Sequence, residues 1–357
     1  MQFGLTETQE ALKKSAREFL TAECPMGAVR RFLEHSPEME SDLWAKVAAQ
    51  GWPGLLIAEE YGGHGMGMVE MCVVLEEMGR ALFPAPFFST TLLAGTIVAR
   101  GATEDQKERY LTAIASGQAR STLARVGPDG WARFVPDAGS ADFIVCAGPV
   151  NGESCIFVAS GIQATFTPAL DLTRRLYDID LRHHTPEPAD ILARGRRAEE
   201  ILEVSLDVAT AGLAAEMTGG MQRLLEITVA YAKTRKQFGR PIGQFQAVQH
   251  LCADMLLMTE SARSAAYYAC YAVQQDPINA AEAVSIAKSY ISDAYREVGN
   301  RAIQVHGGMG FTWENDCHLY YRRAKASEIA LGDAAYHRER LARILLDGRG
   351  RQVSTSG

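Results

Sequence analysis

Long apolar runs are missing from this sequence. No stretch approaches the roughly 20 consecutive apolar residues that a membrane-spanning helix needs, so no membrane span is expected. Met1 to Glu10 lacks a basic segment followed by an apolar core, which argues against a secretory signal. Positive charge is not in excess either: 36 Lys and Arg stand against 43 Asp and Glu, a net charge of −7. Binding of nucleic acid through global charge is thereby disfavoured, because phosphate affinity comes from neutralising backbone charge. The seven cysteines (Cys24, Cys72, Cys146, Cys155, Cys252, Cys270, Cys317) are scattered, and no two stand at CxxC spacing. Neither a zinc site nor a thioredoxin-type motif is supported, and buried, reduced thiols in a cytoplasmic protein are expected.

What is present reads as a soluble globular protein. Hydrophobic residues make up 47% and charged residues 22% of 357, enough for about two to three compact units. Residues 1–118 carry helical signals. Thr6-x-x-Gln9 and Thr103-x-x-Gln106 each read as a capping box. The glycine-rich Tyr61–Gly67 lacks the spacing of a dinucleotide fingerprint and reads as a loop between helices or beside a ligand. Residues 119–192 change character. Short β-rich runs at Ser121–Val126, Phe143–Ala147, Cys155–Ala159 and Ala164–Phe166 alternate with turn residues, as in a small antiparallel β domain. Helical periodicity returns over 193–348, where long helices with short loops suggest a four-helix bundle, and 349–357 reads as a flexible tail. Alternating βαβ is absent, so a Rossmann or P-loop fold is not expected.

Two segments carry chemistry. In Arg235-Lys-Gln-Phe-Gly-Arg-Pro-Ile-Gly-Gln-Phe-Gln246, Gly239, Pro241 and Gly243 end one helix and start another. An arginine and an amide at such a turn suit a phosphate or pyrophosphate, since guanidinium forks and free helix-start N–H groups bind oxyanions. Arg235 could equally stabilise its own helix C-terminus. In Gln304-Val-His-Gly-Gly-Met-Gly310, the glycines let a ligand approach the backbone, and Gln304 offers amide donors and an acceptor. The same turn could exist without a ligand. His306 stands in no ligand cluster and reads as structural.

Taken with Glu60-Tyr-Gly-Gly-His-Gly-Met66, Leu75-Glu-Glu-Met-Gly-Arg80, Gly101-Ala-Thr-Glu-Asp-Gln-Lys107 and Tyr231-Ala-Lys-Thr-Arg-Lys-Gln-Phe-Gly239, these segments resemble the acyl-CoA dehydrogenase family over nearly the whole chain. The resemblance implies a mainly α fold with a small β domain: an N-terminal helical domain, a shortened middle β domain and a C-terminal four-helix bundle. It implies an FAD-dependent flavoprotein oxidoreductase of lipid metabolism that removes hydrogen across the α,β bond of an acyl-CoA. A carboxylate takes the α-proton, and an electron-transfer flavoprotein or similar acceptor reoxidises the flavin. It also implies that Arg235, Phe238, Phe245, Gln246, Gln304, Val305, Gly307 and Gly308 bind the cofactor.

The sequence departs from the family pattern at the chemistry. Leu331 stands where the family carries its catalytic Glu, and Ala209 stands at the alternative base position. Neither side chain can take a proton. Asp207, Glu216, Glu226 and Asp333 are the candidates for a relocated base, or they are solvated or ion-paired helix residues. The flavin-holding Gly-Ser-Asp stretch of the middle domain is missing, and the strand runs from Ser121 to Gly127 straight into Pro128. The parts that a family member lends to a neighbour's flavin are kept, and the parts used for its own are lost. That pattern resembles the short, non-catalytic subunit of heterotetrameric steroid side-chain acyl-CoA dehydrogenases, as do Asp171–Arg175 and His318–Ala324. The expected partners are a catalytic acyl-CoA dehydrogenase subunit, with which this chain shares FAD across the interface, and an acyl-CoA substrate related to steroid degradation. The alternatives are a homo-oligomer binding flavin or acyl-CoA with a relocated base or another reaction, and a ligand-free helical scaffold.

Overall fold

The computed structural model describes residues 4–34 and 37–346; the tail expected at 349–357 lies outside them. Both capping boxes form. At Glu7–Glu23 (α1), the Gln9 N–H donates to Thr6 Oγ1 at 3.3 Å and the Thr6 N–H to Gln9 Oε1 at 2.9 Å. After Met26–Leu33 (α2), Pro37–Ala49 (α3) and Met68–Arg80 (α4), a buried π-helical stretch, Ser89–Gly95, runs into Thr96–Gly101 (α5). Thr103 and Gln106 cap Glu104–Ala115 (α6) in the same reciprocal way, each satisfying a first-turn N–H that would otherwise lack a partner.

Seven strands follow: Ser121–Arg125 (β1), Trp131–Pro136 (β2), Phe143–Val150 (β3), Glu153–Ala159 (β4), Ala164–Thr167 (β5), Leu176–Asp180 (β6) and Ile191–Arg194 (β7). They form two sheets, in the orders β1-β3-β4-β7 and β2-β6-β5. Their inward residues make one core that includes Ala124, Ile144, Phe157, Val135 and Ile179. The domain is not wholly antiparallel. β1 pairs with β3 in parallel, Ser121 opposite Phe143, because the intervening β2 belongs to the other sheet and lets the chain return in the same direction. Strands β2, β6 and β7 escaped the sequence reading. On β6 only Ile179 is buried, so the strand offers little apolar alternation.

Gly195–Thr234 (α7), Gln246–Gln275 (α8), Ala280–His306 (α9), Cys317–Ile329 (α10) and Ala334–Leu346 (α11) complete the chain. Between α7 and α8 lies a two-residue hairpin, Lys236–Gln237 (β8) with Arg240–Pro241 (β9). The architecture is therefore helical at both ends with central β-sheets. No helix among the described residues is long and apolar enough to cross a membrane. All seven cysteines are free; six are buried, and Cys252 is half-buried.

Contacts divide the chain into two compact units. One gathers residues 30–67 and 84–209, the other 1–29, 68–83 and 210–357. In the first, the Tyr61–Gly67 loop is anchored at buried Tyr61 and at Gly63, where a Cβ would come within 2.0 Å of the Ile57 carbonyl, while Gly62 and His64 to Met66 are exposed. Arg175 is buried there, 3.0 Å from Glu40, 3.0 Å from the Phe32 carbonyl and stacked over the Phe32 ring. Asp171 accepts from the Thr173 backbone and hydroxyl. Asp171 and Arg175 thus act as internal struts.

In the second unit, α4 and α7 touch at the backbone. A Cβ on Gly79 would lie 1.8 Å from the Glu216 carbonyl, and one on Gly219 1.7 Å from the Glu76 carbonyl, so only glycine fits either place. The neighbouring motif residues are equally committed. Glu76 accepts from Lys13, Arg263 and Tyr267, and Glu77 accepts both forks of Arg17. Burial pushes the Glu76 carboxyl up, but these three partners outweigh it and hold the group ionised.

Candidate functional site

The two chemistry-bearing segments come together in the second unit. Tyr231, near the end of α7, stacks on His306 at the end of α9 with ring centroids 4.4 Å apart. His306 is buried, its Nδ1 lies 2.8 Å from the Ala302 carbonyl, and burial lowers its pKa. It is a structural residue that ties the Arg235 turn to the Gln304 loop. Nothing in the spacing of the two motifs announced that stack.

The turn itself is built for display. Phe238 and Gly239 both have positive φ, 52° and 79°, as the tight turn between β8 and β9 demands. Phe238 is thereby thrust outward and is 92% exposed. It meets Phe245 edge-on at 6.2 Å, while the Arg240 guanidinium lies over Phe245 at 4.2 Å. Phe245 occupies the N-cap of α8 and provides no side-chain cap, so the N–H groups of Gln246 and Ala247 stay available, while that of Val248 bonds the Phe245 carbonyl at 3.0 Å. Arg235, Gln246 and Gln304 are exposed, and none makes an ion pair or side-chain hydrogen bond with another described residue.

The glycine loop is open as well. Gly307 has φ 60° and ψ −143°, a conformation that only glycine adopts readily. A Cβ on Gly307 or Gly308 would meet nothing within 4 Å. The chain's own packing therefore gives no reason for glycine at 308. A ligand or partner backbone approaching closely would. Val305 is buried, so only its backbone is placed to face a ligand.

The base candidates are in the opposite condition. Glu216 is buried and salt-bridged to buried Arg323 at 2.5 Å. Glu226 takes both forks of Arg80, at 2.6 and 2.5 Å, and a bond from Gln222. Burial raises its pKa, but Arg80 and Gln222 overcome that and lower it. Asp333 caps α11, accepting from the Tyr336 N–H at 2.8 Å. Asp207 sits half-buried within α7 and has interaction partners of its own. Ala209 and Thr210 are buried, and neither carries a carboxylate. Leu331 has φ 57°. The resemblance in His318–Ala324 also rests on struts: Tyr320 donates to the Arg80 carbonyl at 2.6 Å, and Arg323 holds Glu216.

No group of three or more His, Cys, Asp or Glu among the described residues could hold a metal ion. An exposed turn at Arg235–Gln246 and an open glycine loop after Gln304 thus lie on the second unit, in a chain that also carries central β-sheets. Residues 6–118 match the family description "Acyl-CoA dehydrogenase, N-terminal domain", and residues 200–346 match "Acyl-CoA dehydrogenase, C-terminal domain". The chain belongs to the acyl-CoA dehydrogenase family, whose typical cofactor is FAD. It is 33% identical to the acyl-CoA dehydrogenase IpdE2 of Mycolicibacterium smegmatis, over 95% of this chain and 98% of that one. The ChsE4-ChsE5 complex of Mycobacterium tuberculosis superposes with a TM-score of 0.87 at 25% identity, covering 97% and 99% of the two chains. The Tcur3481-Tcur3483 steroid ACAD (G363A variant) does so at 0.83 and 27%, covering 96% and 99%.

Proposed function

We propose that this chain is a subunit without a catalytic base of its own, which completes the FAD site of a catalytic partner for α,β-dehydrogenation of a steroid-derived acyl-CoA. The observation that carries this reading is the contrast between two sets of residues. Of the side chains that a family member lends to a neighbour, Arg235, Gln246 and Gln304 stand exposed and unengaged, and Gly307 and Gly308 open onto empty space. The positions that would do the proton chemistry hold Leu331 and Ala209. The similar solved structures described as a two-protein complex and as a paired steroid ACAD support the heteromeric and steroid parts of the reading.

FAD, when bound, supplies the acceptor for the substrate hydride. This chain's residues fit its ADP half. The Arg235 guanidinium and the uncapped start of α8 at Gln246 would hold the pyrophosphate. Gln304, the Val305 backbone, Gly307 and Gly308 would let the ligand lie against the chain, and Phe238 and Phe245 would cover it. Arg235 would also neutralise part of its charge and the two phenylalanines would exclude water, while the proton acceptor would come from the partner. We propose the same three-part division as the sequence indicates, 1–118, 119–192 and 193–348. We also propose a cytoplasmic heterotetramer as the working form, with an electron-transfer flavoprotein or similar acceptor taking the electrons.

A relocated base is disfavoured by the commitments of Glu216, Glu226 and Asp333. The test is the visible absorbance and light-scattering mass of the chain purified alone and with a co-expressed catalytic subunit. A colourless chain whose assembly captures flavin is the expected result. A yellow homo-oligomer active by itself would overturn the proposal.

A further inference from the structure

Lys288 is a buried cation with a specific task. It lies on α9 with 0% exposure. Its three N–H donors are shared among four acceptors: Ser292 Oγ at 2.9 Å, the carbonyls of Ser327 and Glu328 at 3.0 Å each, and the Gly332 carbonyl at 2.8 Å. Ser327 and Glu328 are in the last turn of α10, where carbonyls lack helical partners. Gly332 lies beyond the helix, in the turn that leads to α11. One ammonium thus bonds carbonyls on both sides of Leu331. From α11, buried His337 completes the grip, its Nε2 3.0 Å from the Leu331 carbonyl.

The turn needs such a grip. Leu331 has φ 57° and Gly332 φ 96°. Glycine is required at 332, because a Cβ there would come 2.4 Å from the Tyr336 ring as well as adopting a positive φ. Leucine at 331 has no such freedom: the left-handed region costs a branched side chain about 1–2 kcal/mol. A residue in that state persists only where its surroundings over-determine it. Packing alone would be met by an aliphatic side chain, whereas a buried ammonium carries a desolvation cost that only satisfied hydrogen bonds offset. Burial lowers the Lys288 pKa to about 8, partly opposed by Asp333 and Glu328.

We infer that Lys288 is a positioning residue, which clamps the carbonyls flanking Leu331 and holds the 330–333 turn in its left-handed shape, with His337 as its counterpart on α11. The inference does not depend on which reaction or partner the turn serves. It also accounts for a turn that stays fully built although position 331 carries no carboxylate.

The test is amide hydrogen exchange across residues 326–338 in the full chain, compared for wild type, Lys288→Met, Leu331→Asn and the double variant. Asparagine tolerates the left-handed region, so it removes the strain that the clamp holds. Lys288→Met is expected to speed exchange at the end of α10 and the start of α11 about tenfold or more, with α8 unchanged. Leu331→Asn is expected to restore much of that protection. Exchange that rises equally along α8, α9 and α10, or protection that Leu331→Asn fails to restore, would reduce Lys288 to a packing residue and overturn the inference. If Lys288→Met does not fold, Lys288→Gln, which keeps two donors, takes its place under the same criteria.

Discussion

The Arg235–Gln246 turn and the Ala330–Asp333 turn join helices of the same unit, yet their residues are treated in opposite ways. In the first, polar side chains project without protein partners, a phenylalanine is 92% exposed, and the adjoining glycine loop opens onto empty space. In the second, Lys288, His337 and Asp333 hold the backbone, and elsewhere in the unit Glu216 and Glu226 are tied to arginines. Exposed polar groups keep water as a partner, whereas buried ones left unpaired are costly, so the first turn can receive another molecule at no cost to the fold and the second cannot.

Four changes would sharpen or break that contrast, taken from the largest expected effect. Arg323→Met removes the buried ion pair between Arg323 and Glu216 and should cost about 3–5 kcal/mol of stability, read as a shift in denaturation midpoint. A negligible shift would mean that Glu216 is not a scaffold residue and would reopen it as a base. Arg235→Ala should leave the stability of the chain within about 0.5 kcal/mol of wild type. The same change should weaken flavin retention by the assembled complex by about 1.5–3 kcal/mol, roughly ten- to a hundredfold, read by flavin release on dilution. A chain that loses stability instead would place Arg235 in the scaffold.

The third change concerns pH. Burial, only partly opposed by the Leu331 carbonyl, lowers the His337 pKa from 6.5 to about 4. Between those values the unfolded chain binds the proton and the folded chain does not. The contribution of His337 is therefore complete above pH 6.5 and is lost as pH falls toward 4. His337→Gln should flatten the fall in melting temperature over that window, and an unchanged slope would count against the burial assigned to the ring. The smallest effect is expected at Gly308. Alanine there meets nothing in this chain, so its stability should stay within about 0.5 kcal/mol, while flavin capture with the partner should fall.

The sequence made much of this legible where a local rule governs. Thr6 and Thr103 announced their capping boxes because N-cap chemistry involves only four consecutive residues. The break between α7 and α8 followed from the placement of Gly239, Pro241 and Gly243. Strands β2 and β6 were not legible, since their pairing sets their existence and their side chains barely alternate. The parallel pairing of β1 with β3 was hidden for the same reason. The Tyr231–His306 stack and the Lys288 clamp join residues far apart in the chain, and no spacing rule reaches that far.

The sequence alone determined that Leu331 and Ala209 cannot act as bases, because a side chain's proton chemistry belongs to its own atoms. It also determined the order of helical, β and helical segments. Only the tertiary structure decided which polar residues remain free. Whether Glu216 is a base or a strut, and whether Gly308 is packed or open, depends on what the fold brings within hydrogen-bonding or van der Waals reach, and that is a property of three-dimensional packing.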